Sequence, residues 1–229
     1  MSQQLAPPPC PLDARFNPRA AGSRLAHIVG IGGTGSNAGK TTLAEELVRL
    51  LHAQGLPVAA LKTTRAHDGE CPIGDSSCLV CSTAGSSFRI VSDQRLLAMK
   101  GKDTGRYVAA GAAPVRWLIT NPQSVAAGVR AVLEQINTPC ILVAEGNSFC
   151  DFVEVDQLVL VCGALQAKPS TSALLPRVSA FVGDNDPVAA LRSEARAPQG
   201  APHFTAAQAP AALLAAIPEE VLARLKAGL

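Results

Sequence analysis

The passage from residue 25 to residue 54 limits what this chain can fold into more than any other part of it. An apolar run at residues 25–31 has the length of a buried strand, glycines stand at 32, 33, 35 and 39, and residues 41–54 place Leu43, Leu47, Leu50 and Leu51 at helical spacing. Glycine frees the turn of Cβ crowding, so its backbone N–H groups can point inward at an anion. The helix that follows adds the positive end of its dipole. Lys40 stands where a side chain can reach terminal phosphates, and Thr41 where a hydroxyl can hold magnesium. Strand, glycine turn, Lys-Thr and helix together describe a phosphate-binding loop made of Gly35, Ser36, Asn37, Ala38, Gly39, Lys40, Thr41 and Thr42. The spacing departs from the common one: Gly35 leaves three residues rather than four before the Gly39-Lys40 pair, and position 34 is Thr. A turn that merely joined strand to helix would not need a lysine and two threonines at the helix start.

The rest of the chain alternates in the same way. Gly55 stops the first helix, and residues 57–61 give a second apolar strand that ends in Lys62. Strands are expected at 115–120, 140–144, 157–162 and 178–182, a helix at 122–136, and a closing helical segment at 211–226, broken or kinked at Pro218. Alternation of this kind builds an α/β fold, a mostly parallel sheet flanked by helices, and with the phosphate loop before its first helix the chain resembles a SIMIBI-like three-layer sandwich of the P-loop NTPase type. The expected domain spans 25–229, after an irregular arm at 1–24 rich in Pro, Ala and Arg. Residues 63–87 hold Gly, Ser, Pro, Asp and three Cys with little apolar period, and read as a long loop inserted in the domain.

At 48% hydrophobic and 17% charged residues, the 229-residue chain can bury a substantial core, and no apolar run reaches the ~20 residues of a bilayer span. Its net charge of +2 carries no basic block, which argues against nucleic acid as a partner. The first residues lack the basic start and apolar stretch of a secretory signal, so a cytoplasmic location is expected, with no membrane partner. Seven cysteines then read as reduced thiols or metal ligands rather than a disulfide framework. Cys140 and Cys162, in or beside apolar strands, read as small buried hydrophobes.

The strand at 140–144 delivers Glu145 and Gly146 at its carboxyl end, the edge where open parallel sheets bind ligands. A carboxylate there can complete a magnesium shell or orient an attacking water; an ordinary solvated glutamate is the plainer alternative. Lys62 ends its strand on the same edge, either in reach of a terminal phosphate or anionic substrate or as a plain surface lysine.

Four pieces in order carry a resemblance: Gly39-Lys40-Thr41-Thr42-Leu43, then Lys62, then Gly101-Lys102-Asp103-Thr104 with Arg106 and Ala110-Gly111-Ala112, then Glu145-Gly146. Over residues 25–165 they resemble the molybdopterin-guanine dinucleotide biosynthesis protein B family, MobB. The resemblance implies a GTP-binding accessory protein, usually a homodimer, that helps a partner nucleotidyltransferase join GMP to molybdopterin. It also places Asp103 near magnesium and phosphates, although Asp103 is equally suited to capping a helix or turn. Slow hydrolysis would then use Lys40, Asp103 and Glu145, with Thr41, Asp103 and Glu145 as magnesium ligands.

Residues 36–40 with Glu145-Gly146 also resemble ATP-dependent ligases of the dethiobiotin synthetase and cobyrinate synthase group, in which ATP activates a carboxylate. No Asn-Lys-x-Asp run selects guanine, so GTP and ATP both stay open. Asp184, Asn185 and Asp186 are a candidate base reader or a plain turn.

Cys71, Cys78 and Cys81 are spaced C-x6-C-x2-C, and the C-x2-C half can bind one tetrahedral ion. His67 or Cys150 would supply a fourth ligand for zinc or an iron–sulfur cluster, the alternative being free thiols in a loop. A metal-sensing or metal-delivery switch is therefore a third functional class beside the accessory GTPase and the ligase or kinase. Metal analysis of anaerobically purified protein tests it. Stoichiometric zinc or iron, lost on combining Cys71→Ser, Cys78→Ser and Cys81→Ser, is the expected result for a ligand set; metal-free protein with a silent triple variant removes that class.

Overall fold

Alternation inside each central strand decides the layers. In β1 (His27–Gly33) Val29 and Ile31 face one side of the sheet and Ile28 the other, and every residue of the strand is buried. In β2 (Val58–Arg65), Val58 and Ala60 join the first core, Ala59 and Leu61 the second. Strands apolar on both faces have to be covered on both, so helices lie on each side. The computed structural model describes residues 15–66, 80, 88–163, 167–194 and 196–228.

Among the described residues the sheet has eight strands in the order β3-β4-β2-β5-β1-β6-β7-β8. The remaining strands are β3 (Phe88–Val91), β4 (Val115–Thr120), β5 (Ile141–Glu145), β6 (Gln157–Cys162), β7 (Ala180–Gly183) and β8 (His203–Phe204). All pairings are parallel except that of β3 with β4. The first core is closed by α1 (Lys40–Ala53), α3 (Asp103–Ala109), α8 (Ala209–Ala215) and α9 (Glu219–Lys226), through Leu47, Leu51, Tyr107, Leu213 and Leu225. The second is closed by α4 (Val125–Glu134), α5 (Asn147–Phe152) and α7 (Asn185–Arg192), through Val129, Val132, Phe149 and Leu191. Two one-turn helices, α2 (Gln94–Leu97) and α6 (Pro169–Ser172), fill connections. The mostly parallel three-layer α/β sandwich is thus the observed architecture. β1 lies between β5 and β6, which opens the loop after β1 at the middle of the sheet's carboxyl edge. No described helix is long and apolar enough to cross a membrane.

Several boundaries differ from the sequence reading. β2 runs past Lys62 because Thr63, Thr64 and Arg65 pair with Leu118, Ile119 and Thr120 of β4, so residues 63–65, expected in the long loop, belong to the strand. The helix expected at 122–136 covers only Val125–Glu134, since Asn121 and Ser124 form a hydrogen-bonded turn before it, with Ser124 N donating to Asn121 Oδ1 at 2.9 Å. The closing segment divides at Pro218 into α8 and α9. His67, Cys71, Cys78 and Cys81 lie outside the described residues; Val80 between them is half-buried against the first core. Cys140 and Cys162 are buried, and burial pushes the Cys162 thiol up to about 12.

Residues 15–24 are tied to the domain. Phe16 forms a β-bridge with Val153, its ring stacks on Phe152 with centroids 6.0 Å apart, and the Arg130 guanidinium sits 4.1 Å from its centroid. Arg19 holds both oxygens of Asp156 at 3.0 and 2.5 Å, and Ile28 N donates to Asp156 at 2.7 Å. His27 Nδ1 lies 3.7 Å from the same carboxylate, yet burial lowers the His27 pKa against that attraction, and Arg19 lowers it further. Burial raises the Asp156 carboxyl, but Arg19, the Ile28 N–H and His27 outweigh it and hold the carboxyl below its ordinary value. Both groups bind fewer protons folded than unfolded. Their stabilisation is therefore complete above the unfolded pKa and is lost as pH falls, for His27 from about 6.5 downward. The melting temperature should fall between pH 7 and pH 5, and His27→Gln should flatten that slope; an unchanged slope in the variant contradicts the assignment.

Candidate nucleotide site

The phosphate loop begins one residue later than its spacing suggests. Thr34 is fully buried and directly follows β1: its N–H donates to Val161 O at 3.0 Å, carrying the bonding of β1 to β6 one residue past the strand. Its Oγ1 accepts from Gly163 N at 3.1 Å and its carbonyl from Lys168 N at 3.0 Å, so the side chain fastens the end of β6 to the loop. A glycine there would leave the Gly163 N–H without that acceptor, which accounts for the departure at position 34. The turn proper closes at Gly39, whose φ of 99° and ψ of 5° lie in the left-handed region that glycine adopts freely, and α1 starts at the next residue. Lys40 reaches back across the loop, Nζ donating to Gly35 O at 2.6 Å. Burial lowers its pKa, opposed by Glu145 and assisted by Lys62 and Lys168.

The other wall of the loop is held by side chains that the sequence reading did not single out. The Asn147 amide accepts from Gly33 N at 2.9 Å and donates to Gly33 O at 3.0 Å, clamping the end of β1. Lys168 Nζ donates to Ser36 Oγ at 3.0 Å. The cleft so formed has a volume of about 1050 Å³ and runs from Gly35 to Lys40 across Lys62, Asp103 and Glu145 to Lys168.

Register places the second edge. β2 and β5 pair with Lys62 directly opposite Glu145, and by alternation both side chains fall on the face covered by α1 and α3. Lys62 Nζ pairs with Glu145 Oε1 and, at 2.7 Å, with Asp103 Oδ2. Thr41 Oγ1 donates to Glu145 Oε2 at 2.9 Å, and Tyr107 OH donates to the same oxygen. Glu145 is 1% exposed, so it is not a solvated strand-end glutamate. Burial alone would lower the Lys62 pKa, but Glu145 and then Asp103 raise it, keeping the ammonium charged. Burial and Glu145 together push the Tyr107 phenol far up, which keeps its proton in place as a donor.

Asp103, Arg106 and Tyr107 stand at i, i+3 and i+4 on α3 and so share one face of the helix. Arg106 joins that helix to α1, its Nε donating to Glu45 Oε2 at 2.6 Å and its Nη2 to Thr42 Oγ1 at 3.0 Å. Asp103 makes no capping bond; Lys102 is the N-cap, and Asp103 lies in the first turn facing Lys62.

Thr41, Glu145 and Asp103 offer hard oxygen donors, a chemistry that fits magnesium. Among the described residues, no group of three or more His, Cys, Asp or Glu stands ready to hold a metal ion. The expectation that Cys150 reaches the ligand edge is corrected: α5 turns it into the second core, where its Sγ would lie 3.0 Å from a Cβ on Gly30. Burial pushes that thiol up to about 12, which leaves almost no thiolate at neutral pH. Asp184, Asn185 and Asp186 open α7 and do not line the cleft.

Tyr107→Phe removes one donor from the buried carboxylate and should cost about 2 kcal/mol, the usual scale for a hydrogen bond to a charged group. Urea unfolding measures it, and wild-type stability in the variant would show that the bond contributes nothing.

No family model matches the chain, and no curated protein matches it. Among solved structures it is similar to a MobB protein homolog from Bacillus stearothermophilus, at 16% identity over 86% of this chain and 99% of that one, with a TM-score of 0.41. It is similar also to MobB of Bacillus subtilis, at 22% identity over 87% and 98% of the two chains and a TM-score of 0.40. A LAO/AO transport system kinase is matched at 16% identity over 88% of this chain and 60% of its own length, with a TM-score of 0.45. Likenesses of this size concern the fold alone, and the P-loop NTPase fold rests on the chain's own sheet order and phosphate loop.

Proposed function

We propose that this protein is a MobB-like P-loop NTPase, which binds GTP with magnesium, hydrolyses it slowly, and assists a partner nucleotidyltransferase in molybdenum-cofactor maturation as a homodimer. One convergence supports the reading. The four separate sequence pieces that resemble MobB deliver Lys40 and Thr41, Lys62, Asp103, and Glu145 to a single cleft.

The chain's own groups divide the work. The loop N–H groups and the start of α1 receive phosphate oxygens, and Lys40 exchanges the Gly35 carbonyl for a terminal phosphate oxygen. Thr41, Glu145 and Asp103 would hold magnesium, which when bound neutralises charge on the phosphates. With Thr41, Tyr107 and Lys62 on its oxygens, Glu145 is suited to orienting metal or water rather than to taking a proton outright.

A second reading, an ATP-dependent ligase or kinase acting on a small molecule, is favoured by the extension of the cleft beyond the phosphate grip, along Thr63, Thr64 and Arg65 to Ser148. ADP formation that appears only when a carboxylate or phosphorylatable metabolite is added would select it.

Lys40→Ala should weaken nucleotide binding roughly 100-fold, the scale of one charged hydrogen bond in a partly buried site. Calorimetry with the variant checks this, and undiminished affinity contradicts the assignment of the loop.

A further inference from the structure

The cations of the cleft are not in equivalent states. Lys40 and Lys168 rest on neutral oxygens, the Gly35 carbonyl and the Ser36 hydroxyl, which a phosphate can replace at little cost. Lys62, by contrast, is bound to two carboxylates among the described residues, and these are the two carboxylates suited to magnesium. Its position is not a choice of rotamer only: the pairing of β2 with β5 fixes its Cα opposite that of Glu145. Thr41, the third oxygen donor, is also committed to Glu145. Every group of the expected metal set is therefore engaged by the chain itself.

We propose that Lys62 is a tethered counter-ion, whose ammonium closes Glu145 and Asp103 to a free divalent cation and opens them when a polyphosphate offers it another anionic partner. The proposal rests on the reading of the cleft as a triphosphate site and adds an order to it: metal enters with the nucleotide and not before it. Two energies set that order. A free metal ion would have to give up water, which magnesium does reluctantly, and would leave an ammonium at 17% exposure with no counter-charge. The metal–triphosphate complex brings an excess of negative charge, so the ammonium keeps an ion partner while the carboxylates turn to the metal. Lys62 is by this account a positioning residue, which acts through the carboxylates it holds.

Manganese, read by electron paramagnetic resonance without nucleotide, is the probe. The wild type should bind it weakly, Lys62→Met at least about 10-fold more tightly through loss of a unit positive charge from the site, and Lys62→Arg as weakly as the wild type. A Lys62→Met protein that binds manganese no better than the wild type overturns the proposal, as does tight binding by Lys62→Arg. Should the methionine variant fail to fold, the wild type decides: magnesium alone should leave its melting temperature unmoved, while magnesium with GTP raises it. A shift with magnesium alone as large as that with both overturns the proposal. Calorimetry of GTP and ATP on the same wild-type preparation separates the two levels, since absence of nucleotide binding contradicts the nucleotide reading while the manganese comparison still judges Lys62.

Discussion

A carboxylate buried at the end of a central strand has to be met by donors from its surroundings, and the donors that meet Glu145 arrive from three separate elements. Lys62 comes from β2, Thr41 from the first turn of α1 and Tyr107 from α3. Leaving out Lys62 would strand a charge in a nearly dry place, at a cost of several kcal/mol, and leaving out Thr41 or Tyr107 would leave acceptor capacity unmet at the smaller cost of one hydrogen bond. The carboxylate therefore fixes more than its own position. Through Thr41 and Tyr107 it is bonded to α1 and α3 at the sheet edge, where Asp103 and Arg106 add their bonds to Lys62 and Glu45. Helix docking thus depends on the same few atoms to which the proposed function gives metal and phosphate.

The opposite wall of the cleft is held by neutral hydrogen bonds. Asn147 clamps Gly33, and Thr34 joins β1, the end of β6 and the Lys168 backbone. Such bonds hold shape without fixing charge, so the loop can keep its cradle while Lys40 and Lys168 change partners. One side of the cleft is a network of ions and the other a network of amides and hydroxyls, which suits a site that has to keep its form while anions come and go.

What could be read from the sequence follows from how local each signal is. β1, α1, β5 and β6 were legible because strands buried on both faces and a helix with one leucine face declare themselves in a few residues. The end of β2 was not, since Thr63, Thr64 and Arg65 are polar and are held in the strand by β4, far along the chain. Lys40, Thr41, Lys62 and Glu145 could be placed on one edge, but their mutual bonds needed the register of β2 on β5, which no local pattern contains. Tyr107 was missed with its helix, although its spacing from Asp103 would have put it on the same face once α3 was drawn. Cys150 was misplaced for a simple reason: nearness to Glu145 in sequence suggested the edge, whereas the turn into α5 carries the thiol into the core.

Calorimetric titration with GTP and with ATP, each with magnesium, tests most directly the proposal that this cleft grips a nucleoside triphosphate and prefers GTP. Saturable binding of GTP and weaker binding of ATP are the expected result. Binding of neither would contradict the nucleotide site, and a preference for ATP would contradict the MobB-like reading.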